Sequence, residues 1–144
     1  MSLFNSMDAS SSGLTAQRLR MDLISNNIAN VNTTETEDGG PYRKQEPVFK
    51  TKFKEELNKA GGFRSEQEVN GVKVKDVVES DEPPKLEYNP EHPQANEDGY
   101  VEKPNVNIVE EMTNMISATR AYEANVTALD SSKDMYNSAI QIGT

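Results

Sequence analysis

Few residues of this chain are suited to covalent or metal chemistry. One histidine, His92, stands between Pro90 and Pro93 in YNPEHPQANEDGY (88–100), and there is no cysteine. Thiolate nucleophiles, disulfides and cysteine metal sites are thereby removed. A single histidine on a proline-fixed loop reads as a turn residue or hydrogen-bond partner rather than a metal ligand. Carboxylates remain: Glu79, Asp81 and Glu82 cluster, as do Glu97 and Asp98. Two carboxylates can run glycoside hydrolysis, provided one is buried with a raised pKa in an aromatic cleft. These acids sit in polar, proline-rich sequence of a chain without tryptophan, so they read as a solvated charge run. EDGG (37–40) does not qualify as the Gly-rich phosphate cradle that follows a strand. No catalytic residue, cofactor, metal or small-molecule substrate is expected.

What the chemistry lacks, the composition explains. The chain has 144 residues, of which 34% are hydrophobic, with a mean hydropathy of −0.77. That supplies a modest core and leaves part of the chain dependent on partners for order. The net charge of −9 opposes nucleic-acid binding, which rests on Lys and Arg neutralising phosphates, and opposes anionic membrane surfaces equally. The N-terminus MSLFNSMDASSSGLTAQRLR lacks the basic and apolar regions of a cleaved signal. No run approaches the ~20 apolar residues of a membrane span. Export from the cytoplasm, if it occurs, is expected to leave the N-terminus uncut.

The elements that must position any functional residue fall into three zones. All seven prolines lie between Pro41 and Pro104, and 11 of the 15 basic and 17 of the 24 acidic residues lie in 33–104. The composition therefore predicts an N-terminal helix over 1–32, a strand-rich, partly irregular middle over 33–104, and a C-terminal helix over 105–144, an α+β fold. The first helix carries an apolar seam at Leu3, Met7, Leu14, Met21, Ile24, Ile28 and Val31, interrupted by Ser10 and Gln17. The second carries Ile108, Met112, Met115, Thr119, Tyr122, Val126, Leu129, Lys133, Tyr136 and Ile140. Two sustained 3.5-residue patterns predict helices packing along their length as a coiled coil or bundle. Periodicity alone leaves open whether they pack on each other or on neighbouring copies.

Local signals refine this outline. Asn107 and Glu110 have capping-box spacing after Pro104, Glu110 and Glu111 favour the start of the second helix, and Gly143 is placed to end it. Ser10–Gly13 cost the first helix about 2 kcal/mol of propensity, so its first dozen residues are expected to be helical only when packed. In the middle, Asn70-Gly71 between Val69 and Val72 predicts a hairpin turn. PYRKQEPVFKTKF (41–53) and KLEYNP (85–90) are strand candidates, and parts of 33–40 and 55–68 are expected to be mobile. Tyr88, Pro90, His92, Pro93, Gly99 and Tyr100 mark a stiff loop leading toward the second helix.

The asparagine-rich segment SNNIANVNT (25–33), behind an amphipathic helix, resembles the N-terminal signature of the rod and hook family of bacterial flagellar axial proteins. MISATRAYEANVTALDSSKDMYNSAIQIG (115–143) resembles that family's second long helix, and YNPEHPQANEDGYVEKPNVNIVEEM (88–112) the segment specific to its proximal-rod branch. The resemblance covers about 30 residues at the start and about 55 at the end; residues 33–87 match in general character only. It implies that the terminal helices pair and join those of neighbouring copies in the wall of a helical tube, with the middle zone outside. It also implies partners among other rod subunits and copies of the chain, and passage through the flagellar type III export apparatus to a rod that crosses the periplasm.

On that reading the assembly interface comprises Leu14, Met21, Ile24, Asn26, Asn27, Ile28, Asn30 and Val31 on the first helix. On the second it comprises Ile108, Met112, Met115, Tyr122, Val126, Leu129, Tyr136 and Ile140. Asn26 and Asn27 would fix register between copies by amide bonding, and Asn32 would terminate the helix by adopting the left-handed conformation. A structural rod subunit without catalytic activity is the leading expectation. A soluble adaptor or export chaperone binding a partner helix is the second, and a carboxylate enzyme acting on cell-wall glycan the third.

Overall fold

The structure, a computed structural model, describes residues 3–37, 39–54 and 68–142. Helix α1 spans Leu3–Ala29 and helix α2 spans Ile108–Ile142. At 1.5 Å per residue the longer helix extends about 50 Å. Between them lie two antiparallel two-stranded ribbons, β1 (Gln45–Lys54) with β2 (Glu68–Glu79) and β3 (Lys85–Tyr88) with β4 (Tyr100–Lys103). The architecture is α+β.

The helices run antiparallel along their length. Phe4 packs edge-on against Tyr136 with centroids 5.8 Å apart, a Cβ at Gly13 would come within 3.0 Å of the Asn125 side chain, and Arg20 reaches Asn114. The packed seam is rotated from the one that apolar spacing suggested. On α1 the buried positions are Ala16, Leu23, Ile24 and Asn27, whereas Leu14, Met21 and Ile28 are half-buried. On α2 the buried positions are Glu111, Ala118 and Ser132, one heptad set of small or polar residues, alternating with half-buried Met115, Tyr122 and Leu129. Small side chains let the backbones approach closely, so large apolar residues are displaced to the flanks. Six hydrophobic side chains are buried among the described residues: Ala16, Leu23, Ile24, Val101, Val106 and Ala118.

Helix termini follow local chemistry. Asn107 caps α2, its side-chain oxygen accepting from the Val109 amide at 3.1 Å and its carbonyl from Glu111 at 2.9 Å. Helix α1 is ended by Asn30 rather than Asn32: the Asn30 side chain donates back to the Asn26 carbonyl at 3.0 Å and accepts from the Thr33 hydroxyl at 3.1 Å. Among the described residues only glycines take a positive φ, so Asn32 does not terminate the helix through a left-handed conformation. Gly143 lies outside the described residues.

The ribbon β1–β2 corrects a second expectation. Asn70-Gly71 is not a turn but part of β2, whose pairing with β1 continues beyond it to Glu68 opposite Lys54. Gly71 serves another purpose there. Its φ is +109°, and a Cβ would lie 2.2 Å from Ser12 Oγ and 3.3 Å from the Ala9 backbone. Ser12 in turn accepts a 3.0 Å bond from the Val72 amide. The serine–glycine run that weakens α1 as an isolated helix is thus where the ribbon lies on it. Residues 55–67, part of a segment expected to be mobile, lie outside the described residues.

Candidate functional site: a polar clamp and the helix faces it orients

At the junction of α1, β1 and α2 the sequence places polar residues at what become adjoining element ends. Asn27 is on the last turn of α1, Glu111 on the first of α2, and Tyr42, Lys44 and Gln45 lead into β1. Asn27 and Glu111 are each 1% exposed. The Asn27 amide uses all its bonding capacity inside the chain. Its Nδ2 donates to Glu111 Oε2 and to the Gln45 carbonyl, both at 3.0 Å, and its Oδ1 accepts from the Tyr42 hydroxyl and the Gln45 amide, both at 2.9 Å. Lys44 Nζ closes the cluster, 3.2 Å from Glu111 Oε1 and 2.9 Å from Glu46. A buried carboxylate is tolerated here because both oxygens are engaged and a cation is adjacent.

The electrostatics follow from this packing. Burial raises the Tyr42 pKa above its ordinary value, and the Glu79 and Glu111 charges raise it further. Burial lowers that of Lys44, but hydrogen bonds to Glu46 and Glu111 and their negative charges outweigh it, so the net direction is upward. The clamp is therefore neutral tyrosine, charged lysine and an acceptor carboxylate set around one amide. Such an arrangement offers no free nucleophile or open coordination position. It fixes the angle at which the β1–β2 ribbon leaves the helix pair. Beside it opens a cleft of about 390 Å³, lined in part by Arg20, Leu23, Ile24, Phe49, Glu110 and Asn114.

Asn27, assigned from sequence to contacts between copies, is therefore an internal residue. Asn26 is exposed, and Asn30 is occupied with its own helix end. Ile24 is likewise enclosed within the chain, and Val31 is half-buried. On α2, Met115, Tyr122, Val126 and Leu129 are half-buried, whereas Ile108, Met112, Tyr136 and Ile140 are exposed. Sequence reasoning missed Tyr42 and Lys44 and read Glu111 only as a dipole partner. The available signal was a glutamate at a helix start and an asparagine at a helix end, both on faces otherwise apolar.

The loop residues resolve into a hairpin. Tyr88 pairs with Tyr100 across β3–β4, their rings 5.3 Å apart at 66°. Gly99 has φ +81°, and a Cβ there would come 2.9 Å from the Tyr88 ring and 3.2 Å from Pro90. His92 Nδ1 accepts from the Gln94 amide at 3.2 Å, holding a turn that continues through the Ala95 amide to the His92 carbonyl. The Gln94 side chain bonds Glu35. The hairpin, rather than the loop itself, then delivers the chain to α2 through buried Val101, Pro104 and Val106. No group of three or more His, Asp or Glu is placed to hold a metal among the described residues.

An uncovered apolar stripe lies on α2 beside the clamp. Val109, Met112 and Ile116, spaced at three and four residues, are 73%, 55% and 55% exposed, with Met135 and Ile140 further along. No helix among the described residues is long and apolar enough to cross a membrane, so this stripe is not part of a span.

Comparison with known proteins bears on both helices. Residues 7–35 match the family described as flagella basal body rod protein, and residues 97–142 the family described as flagellar basal body rod FlgEFG protein C-terminal. The chain is 51% identical to the flagellar basal-body rod protein FlgC of Borreliella burgdorferi over 99% of its own length and 98% of that protein's. It is 43% identical to FlgC of Bacillus subtilis and 41% to FlgC of Escherichia coli O157:H7, each over 99% of both chains.

Proposed function

Since the chain belongs to the FlgC family of flagellar basal-body rod proteins, we propose that it builds the rod through the uncovered faces of its two terminal helices, with the ribbons carried outside. It is a structural subunit of the basal-body rod. The single observation that supports the helical mode of assembly is the α2 stripe of Val109, Met112 and Ile116, which a two-helix hairpin leaves in solvent. Enclosing each such side chain contributes about 1.5–3 kcal/mol, and other rod subunits or further copies are the surfaces that would enclose them. On this reading the half-buried Leu14, Met21, Ile28, Met115, Tyr122 and Leu129 are shared, completing their burial in the assembled wall. The subunit reaches its place through the flagellar type III export apparatus.

The stripe can be tested directly. Met112→Glu combined with Ile116→Glu changes exposed positions only, so the purified chain should keep its helical circular dichroism while failing to enter basal bodies in cells lacking the native gene. Normal incorporation and motility of this variant would contradict assembly through α2.

A further inference from the structure

The β1–β2 ribbon grades its charge along its length, from a lysine-rich middle through exposed Asp76 to an acidic end. In its middle stand Lys50, Lys52, Lys73 and Lys75, all exposed, with Lys50 directly opposite Lys73 across the strands. Like charges placed opposite one another destabilise a strand pair, and none of the four forms an ion pair among the described residues. Val72 and Val74, which flank Lys73, are half-buried, whereas Lys73 itself is open to solvent and free to meet a partner. At the ribbon's other end Glu79 is exposed, followed by exposed Asp81 and Glu82. Four positions of extended chain separate Lys75, the nearest of these lysines on β2, from Glu79, about 13 Å, which exceeds the screening length of roughly 8 Å at physiological salt. The two ends therefore do not neutralise each other within one subunit.

We propose that the lysine-bearing middle of the ribbon docks on the acidic Glu79–Asp81 end of the ribbon of a second copy of this chain. The contact is head-to-tail, since the two patches differ and each copy carries both. Contacts of this kind propagate around a ring or helix instead of closing a dimer. A lysine concentration this dense in a chain of net charge −9 finds its complement on any copy of itself. The opposing lysines, unfavourable in the free subunit, become favourable once a carboxylate lies between them. Electrostatic contacts at the rim of an assembly set register and exclude wrong orientations more than they add affinity. The inference rests on the rod-subunit reading and adds a second, outer contact to the helical one.

Because the chain has no cysteine, the contact can be read by thiol cross-linking. Chains carrying Lys73→Cys and chains carrying Asp81→Cys are co-expressed in cells lacking the native gene, and basal bodies are isolated and treated with a short thiol-to-thiol cross-linker. The expected product is the mixed dimer, in about tenfold excess over either like-with-like dimer, as oppositely charged ends meet and like ends repel. Lys50→Glu with Lys73→Glu should lower incorporation, and supplying Glu79→Lys with Asp81→Lys on the co-expressed copy should restore it. Basal bodies that contain both chains but yield no mixed dimer, or yield all three dimers equally, would overturn the ribbon contact and leave the rod reading standing. Binding of the purified chain to anionic phospholipid vesicles, lost in the lysine variant and without the mixed dimer, would also overturn it. Absence of both chains from otherwise complete basal bodies would instead contradict the rod reading.

Discussion

Asn27 and Glu111 carry the argument at the residue scale. Both are buried and polar; they bond each other, Asn27 also bonds Gln45 at the start of β1, and Glu111 pairs with Lys44 just before it. Removing one partner from a buried charged network leaves the rest uncompensated and costs about 3–5 kcal/mol. Glu111→Ala is therefore expected to lower unfolding free energy by about that amount in urea titration. Asn27→Ala should cost at least 2 kcal/mol through several stranded partners. Asn26→Ala, one residue away and exposed, should stay within ~0.5 kcal/mol. Equal effects at positions 26 and 27 would contradict the clamp. The cluster also fixes a pH response. Tyr42 and Lys44 both have pKa values raised above their ordinary 10.0 and 10.5. Groups raised in the folded state contribute stability that is complete below their unfolded pKa and is lost as pH rises through the folded value. Stability attributable to the clamp should accordingly hold through neutral pH and decline above about pH 10. Tyr42→Phe should blunt the tyrosine part of that decline, as seen in midpoints measured from pH 8 to 11.

At the scale of elements, the question is what the sequence disclosed and what it concealed. Helix existence and type were legible, because proline-free ends with 3.5-residue periodicity admit little else. The hidden feature was which face packs. Periodicity ranks positions by apolarity, whereas the antiparallel pair selected Ala16, Ala118 and Ser132 for close approach and left Val109 and Met112 outside. Asn70-Gly71 misled for a related reason. A glycine needed at φ +109° beside Ser12 looks in sequence like a glycine needed by a turn. The clamp was legible only in part, since Tyr42 and Gln45 meet Asn27 from 15 and 18 positions along the chain, contacts that no local pattern encodes. The element-scale prediction follows from Gly71. Gly71→Ala should destabilise the protein by more than Gly13→Ala. At Gly71 both φ and backbone oppose a side chain, whereas at Gly13 the opposing group is the movable Asn125 side chain. Hydrogen exchange should show loss of protection centred on 72–78 in the Gly71 variant while α2 retains its own. Unchanged protection over 72–78 would show that the ribbon does not depend on this contact.

The whole molecule is two long helices with little enclosed between them. Six buried hydrophobic side chains among the described residues give a thin core, and the two ribbons depend on the helices because isolated two-stranded pairs are marginal in water. Such a subunit has its angle set internally, by the clamp, and its remaining apolar surface directed outward, on α2. That division suits a part that sets its own shape and gains its full burial in place. The central claim, that α2's exposed stripe becomes interior in the rod, has a direct measurement. A Met112→Cys chain carries one thiol, and its rate of reaction with a maleimide probe can be compared between the free subunit and isolated basal bodies. The account predicts rapid labelling of the free chain and strong protection in the assembled rod, with a thiol introduced at Glu97, on the hairpin loop, reacting in both. Equal labelling of position 112 in both states would contradict it.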